Sequence, residues 1–161
     1  MMQLSDFGID ENALPTGFYE VEDVLIKGFK SFIFIDCEDA EVNAEKLKQL
    51  SAFLQQLEQH IDSAFAAIAA ELKHSSSTSA HYQQHHLENM SEDDKLGFFD
   101  TQNVTPELFL QALQLTSIGI YPGDDDSFAI VDIQLDPEFT NYLLSVALTA
   151  SGKVIDIVME S

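Results

Sequence analysis

Residues 18–37 have the sequence FYEVEDVLIKGFKSFIFIDC. Two runs in this stretch, Phe18–Ile26 and Ser31–Cys37, are rich in β-branched and aromatic side chains, and the turn signal KGFK at residues 27–30 separates them. Two such runs around a glycine-containing turn predict a β-hairpin. The second run is apolar at successive positions, which is typical of a strand that is buried on both faces. This segment therefore predicts the first two strands of a sheet.

The segment that follows the hairpin, residues 43–73, has the periodicity of a helix. Asn43 is suited to cap its N-terminus, and the segment contains neither Pro nor Gly. Its apolar residues recur at intervals of three and four, which predicts a helix with one apolar face. They are Leu47, Leu50, Leu54, Leu57, Ile61, Phe65, Ile68 and Leu72.

This pattern is compatible with one continuous helix or with two helices that join near residues 60–63. Such an apolar stripe usually packs on a sheet. The positions from Leu47 to Ala64 also fit a heptad seam, so a homodimer through the helix 43–73 is an alternative.

The last third of the chain predicts four more strands, over residues 115–121, 127–135, 142–148 and 154–159. Short turn signals separate them, and short connections favour antiparallel neighbours because parallel neighbours need long crossovers. Before these strands, Thr105 and Pro106 predict the start of a short helix. Another short helix is expected around residues 81–90, followed by acidic surface at residues 91–94.

The whole pattern predicts an α+β fold in a single domain, residues 1–161. We expect an antiparallel β-sheet made of the N-terminal hairpin and four C-terminal strands. One long or broken helix and several short helices would pack on one face of it. Residues 1–17 are polar and turn-rich, and we expect them to form a loosely ordered lead-in to the folded residues 18–161.

Acidity is the most unusual property of this chain. It has 28 Asp and Glu residues against 7 basic residues, all of them Lys, and a net charge of −21 at pH 7. Small soluble domains commonly carry a net charge of magnitude about 2–8. This charge disfavours nucleic acid and anionic membranes as partners, and it favours either a basic protein or solubility alone. The candidate contacts for a basic partner are two acidic clusters, Glu92, Asp93, Asp94 and Asp124, Asp125, Asp126.

The motifs of the common enzyme classes are missing from the sequence, which has no Gly-rich phosphate loop, no Gly-x-Ser-x-Gly and no Cys-x-x-Cys. Without Arg, the chain also lacks the usual bidentate clamp for anionic substrates. The single cysteine, Cys37, ends an apolar run, which predicts a buried structural thiol. We therefore expect a protein that is not an enzyme and that uses no cofactor.

The best candidates for metal ligands are His81, His85 and Glu88, which follow one another at helical spacing. Two His residues one turn apart can bind zinc. The catalytic zincin pattern, however, needs a Glu directly after the first His, and this chain has Tyr82 there. A metal-binding protein is thus an alternative function, whereas a surface helix is the simpler interpretation, and we expect no metal site.

The N-terminal residues MMQLSDFGIDEN are acidic and lack the apolar core of a signal peptide. The chain also has no run of about 18 apolar residues that could span a membrane. These two features predict a cytoplasmic location.

Four segments of the last third are familiar: LQLTSIGIY at residues 113–121, FAIVDI at 128–133, YLLSV at 142–146 and GKVIDIVMES at 152–161. In these segments the chain resembles the bacterial family of domain of unknown function 2004, and the resemblance extends from about residue 18 to the end. It implies an α+β fold. Members of such families look similar to immunity proteins that neutralise bacterial toxins. The resemblance implies no catalytic residues.

The leading hypothesis from the sequence is a cytoplasmic protein-binding module, and more specifically an immunity protein against a basic bacterial toxin. In the alternative hypothesis, the chain is a structural or housekeeping α+β domain that forms a homodimer and whose acidity serves only solubility.

Overall fold

The structure is a computed structural model that describes residues 2–161. These residues form six strands, namely β1 Phe18–Ile26, β2 Phe29–Asp36, β3 Gln114–Ile120, β4 Ala129–Gln134, β5 Leu143–Leu148 and β6 Val154–Glu160. They also form five α-helices, namely α1 Ala44–Gln55, α2 Leu57–Glu71, α3 Thr78–Asn89, α4 Glu92–Phe99 and α5 Pro106–Ala112. A 3-10 turn at Leu4–Phe7 precedes β1. The predicted α+β class is confirmed.

The strands form a single mixed sheet in the order β1-β2-β3-β4-β5-β6. Strands β1 and β2 form the predicted hairpin, and β3 to β6 are antiparallel to one another. Strands β2 and β3, however, are parallel, with Phe32 beside Ser117 and Phe34 beside Gly119. The prediction of an antiparallel sheet is therefore wrong at this pair. The connection between β2 and β3 contains α1–α5 and is long enough for the crossover that parallel strands require.

The helices cover one face of the sheet, and the core lies between the two layers. On β2, Ile33 and Ile35 are completely buried, whereas Phe32 and Phe34 on the opposite side are only half-buried. The expectation that β2 is buried on both faces is thus wrong for this opposite side. We call the side that carries Phe32 and Phe34 the open face.

The apolar stripe of residues 43–73 belongs to two helices, because the chain breaks at Gln56, where φ is −109° and ψ is 20°. The predicted cap at Asn43 is confirmed, since its Oδ1 atom accepts a hydrogen bond of 2.9 Å from the Lys46 N–H. The stripe from Leu47 to Ala64 is buried inside the chain. The seam therefore belongs to the core of this chain, and the homodimer through the helix 43–73 stays a prediction.

The segment before β1 contributes to the core. Residues 1–17 were expected to be a loosely ordered lead-in, but Leu4, Phe7 and Ile9 are buried and belong to the main apolar cluster. Residues 4–9 are therefore part of the packed domain. Met1 lies outside the described residues.

A contact between His60 and Gly152 fixes α2 on the turn between β5 and β6. His60 is buried and stacks on Phe53, with 4.3 Å between the ring centroids. Its imidazole lies directly against the Cα of Gly152, so a Cβ atom there would overlap the ring. Gly152 also has a φ of +88°, which side chains disfavour. Both conditions require glycine at this position.

We therefore expect Gly152→Ala to lower the free energy of unfolding by about 3 kcal/mol, from backbone strain and overpacking together. Gly28→Ala is the matched control. Gly28 has a φ of +86°, but no described heavy atom lies within 4 Å of the position that its Cβ would take. Gly28→Ala should therefore lower the free energy of unfolding through backbone strain alone, by about 1 kcal/mol. Urea denaturation measures both losses, and equal losses would show that the His60 contact does not constrain this turn.

Candidate functional site

The open face carries a row of side chains that crosses the sheet. Strand pairing aligns Phe32 with Ser117, Ser117 with Asp132, Asp132 with Ser145, and Ser145 with Val158. The row is therefore apolar at both ends and polar in the middle. The neighbouring row has Phe34, Gly119, Ile130, Ala147 and Asp156.

Four aromatic residues gather at the β1–β3 side of the open face, and we call them the aromatic cluster: Phe18, Phe32, Phe34 and Tyr121. Phe34 is its centre, because its ring centroid lies 5.3 Å from that of Phe18, 5.8 Å from that of Phe32 and 5.7 Å from that of Tyr121. The Phe34 ring lies over Gly119 so closely that a Cβ atom there would collide with it. Gly119 thus allows the ring to lie on strand β3.

A carboxylate network occupies the middle of the same face. Ser117 Oγ and Ser145 Oγ donate hydrogen bonds to Asp132, at 2.9 and 2.6 Å. Ser145 Oγ also lies 3.2 Å from Glu160 Oε2, so this hydroxyl, which has one proton, faces two carboxylates. Burial raises the pKa of Asp132 and the charge of Glu160 raises it further, while the two serine hydrogen bonds lower it.

The aromatic cluster and the carboxylates are electrostatically connected. Burial raises the pKa of Tyr121, and the negative charges of Asp36 and Asp132 raise it further. Glu20 and Asp36 add carboxylates beside the cluster, because their pairing partners across β1 and β2 are Phe34 and Phe18. Aromatic faces attract cations, and carboxylates bind guanidinium and ammonium groups through charge-assisted hydrogen bonds. This face is therefore suited to bind basic side chains.

The predicted contacts in the turn between β3 and β4 have local roles. Asp124 Oδ1 accepts hydrogen bonds from the backbone N–H groups of Asp126 and Ser127, both at 3.0 Å. Asp125 forms an ion pair with Lys46, with 3.0 Å between Oδ1 and Nζ. These two side chains stabilise the turn and fasten it to α1.

The other predicted cluster, Glu92–Asp94, forms the first turn of α4. Asp94 and Ser91 cap each other, since each side chain accepts a hydrogen bond from the backbone N–H of the other. Negative charge at a helix N-terminus stabilises the helix. Helix α4 packs through Phe98 on Phe139, a residue that follows the end of β4. Asp124–Asp126, in contrast, precede the start of β4. The structure thus does not bring the two acidic clusters together.

The metal candidates do not form a site. His81, His85 and Glu88 are exposed on α3, and residues 2–161 contain no group of three His, Cys, Asp or Glu side chains that could hold a metal ion. The neighbouring His86 is buried, with its ring nitrogens 2.8 Å from the Tyr82 carbonyl oxygen and 2.9 Å from Thr140 Oγ1. This pattern describes a structural histidine, and it does not favour a metal-binding function.

Cys37 is buried, as predicted, and burial raises the pKa of its thiol to about 11. It is therefore a thiol at neutral pH and a poor nucleophile. A cleft of about 630 Å³ lies between β1 and the junction of α1 and α2. Its ionisable lining residues are Asp6 and Glu58, and its other lining residues are mostly apolar or amides.

Phe34, Tyr121 and Asp132 were not predicted as members of one site. They lie on or next to three different strands, so only the strand register brings them together. One signal was present: β2 has aromatic residues at positions 32 and 34, which alternate with the buried isoleucines of the core face.

Comparison of this chain with protein-family models, with curated proteins and with solved structures gives no match. The resemblance to the family of domain of unknown function 2004 therefore stays a prediction. Among residues 2–161, no helix is both long and apolar enough to cross a membrane.

The raised pKa of Asp132 predicts a specific pH dependence of stability. The folded state holds this proton more tightly than the unfolded state, so the group contributes stability below the ordinary carboxyl pKa of about 3.9. That contribution is lost as the pH rises from there through the folded pKa. Because Asp132→Asn cannot ionise, its free energy of unfolding should rise relative to the wild type over the same pH interval.

Urea denaturation at a series of pH values measures this difference. Asp126→Asn is the matched control, because it changes the net charge of −21 by the same amount but removes an exposed carboxylate. A stability difference between Asp132→Asn and the wild type that follows the control at every pH would contradict the prediction.

Proposed function

We propose that this chain is a non-catalytic, cytoplasmic protein-binding module. It binds a basic protein through its open face, as an immunity protein binds a basic bacterial toxin. One observation carries this proposal. The aromatic cluster and the carboxylate network share the sheet face that the helices of the described chain leave uncovered. The resemblance to a family with similarity to immunity proteins is in accord with it.

The apolar part of this face has the character of an interface centre. Aromatic residues are enriched in the cores of protein interfaces and supply many of their hot spots. Phe18 is 44% exposed although it belongs to a stacked aromatic cluster. A partner that covers Phe18 and Phe34 would remove this apolar surface from water, and burial of apolar surface contributes roughly 25 cal/mol per Å².

The charges select the sign of the partner. Asp36, Asp132 and Glu160 place negative charge within or beside the interface. The chain as a whole has a net charge of −21. Such a field attracts a basic protein and increases its association rate, and it repels acidic competitors. In this proposal the clusters Glu92–Asp94 and Asp124–Asp126 act at a distance by steering, because their side chains already stabilise a helix start and a turn.

Site-specific photo-crosslinking tests the location and the partner class together. A photoreactive phenylalanine analogue is placed at Phe18 and, as a control, at Leu96 on α4, which is equally exposed at 44%. In the native cell, the probe at position 18 should form an adduct with a basic protein, and the probe at position 96 should not. An acidic partner, or equal adducts from both positions, would contradict the proposal.

Binding measurements with the purified partner then test the mechanism. Phe18→Ala should weaken binding about tenfold or more, as expected for an aromatic hot spot, and Leu96→Ala less than about twofold. The association rate should fall as the salt concentration rises, because salt screens the attraction. A rate that does not depend on salt would show that charge does not select the partner.

A further inference from the structure

The two edges of the sheet differ in their protection against an added strand. At one edge, β1 has a bulge between Val21 and Val24, and Asp23 within it has a φ of +55°. A bulge in the middle of an edge strand keeps other strands from pairing with that edge. The opposite edge, β6, has a register shift near its start, beside Ile155, and pairs regularly with β5 from Asp156 to Glu160.

The β6 edge exposes apolar side chains. Ile155, Val158 and Met159 are 43%, 39% and 40% exposed. A regular apolar edge is a site at which proteins pair with further strands. The bulge interrupts the middle of β1, whereas the irregularity of β6 lies near its start and leaves Asp156–Glu160 regular. This difference points to β6 as the edge at which a partner pairs.

The backbone of β6 also presents groups for pairing. The Ile157 N–H donates to the Asp156 carboxylate at 2.9 Å, so this N–H points away from β5. Because hydrogen bonding alternates along an antiparallel strand, the Met159 N–H points in the same outward direction. An added strand would meet these donors, after replacing the Asp156 carboxylate at Ile157.

The side chains of β6 specify which residues an added strand should have. Ile157 and Met159 pair with Val146 and Leu144 on the helix-covered side, so residues of the added strand on this side would be apolar. On the other side, Asp156, Val158 and Glu160 continue the open face to the edge of the sheet. Residues of the added strand beside the two carboxylates would be Lys or Arg, because opposite charges pair across neighbouring strands.

We infer that the basic partner adds an extended segment of alternating apolar and basic residues to the β6 edge. This inference rests on the proposed function, because it assumes that one basic partner binds both the open face and the β6 edge beside it. A second copy of this chain would bring another net charge of −21 to the same edge. Charge complementarity thus favours the basic segment over self-pairing.

The probe is a synthetic peptide of alternating Lys and Val with the length of β6, 7 residues. Nuclear magnetic resonance of the full chain should show saturable shifts of the β6 amide signals. Hydrogen exchange of the Ile157 and Met159 amides should slow about tenfold on binding. A peptide of alternating Glu and Val is the control and should leave both signals unchanged. Shifts confined to β1, or equal shifts with both peptides, would overturn the inference.

Variants separate backbone pairing from charge. Met159→Pro removes an outward N–H and should abolish binding of the Lys–Val peptide, whereas Met159→Ala keeps the N–H and should retain binding. Glu160→Lys leaves the backbone intact and should weaken binding about tenfold. Binding that persists in Met159→Pro, or edge protection that depends on the concentration of this chain alone, would overturn the inference.

The outcomes also separate the two proposals. An adduct between Phe18 and a basic protein, together with no peptide binding at β6, would overturn strand addition and leave the open-face function in place. Peptide binding at β6 without any basic adduct at Phe18 would support the edge site and overturn the open-face function.

Discussion

The parallel pairing of β2 with β3 determines where the other elements lie. Parallel neighbours cannot be joined by a tight turn, so the chain must cross the sheet between them, and such crossovers pass over one face with a fixed hand. In this chain the crossover contains α1–α5, so the helix layer belongs to a single connection. The connections that follow β3 are turns, which add no helix to the opposite side. One face therefore becomes the core, and the other remains open.

Some residues on the open face lower the stability of the folded state. A face with a purely structural role would not require them. Burial raises the pKa of Asp132, so its ionised form is unfavourable in the folded state, and Ser145 faces two carboxylates with one proton. An apolar or neutral residue at position 132 would avoid this cost. Positions where a sequence departs from the choice that favours stability are often functional. A cation from a partner would offset the unfavourable charge, which connects the local energetics to the proposed function.

The features that could be predicted from the sequence are those that neighbouring residues decide. The hairpin, the Asn43 cap and the Thr105 cap depend on contacts within a few residues, and all three are confirmed. Helix α4 was missed, although the pair Ser91 and Asp94 has the spacing of mutual caps. The parallel pair was missed because Phe32 and Ser117 are far apart in the chain, and no local pattern records their pairing.

The acidity shows why the candidate site needed both kinds of information. Net charge acts over a distance of about 8 Å or more at physiological salt, so it predicts the sign of a partner without any knowledge of the fold. It does not predict the surface of contact, since the most acidic stretches, such as Asp124–Asp126, are held in turns and caps. The surface follows from strand register, which places Phe34, Gly119 and Asp132 on one face. Sign and place are therefore decided by different parts of the sequence, the first by composition and the second by pairing between distant strands.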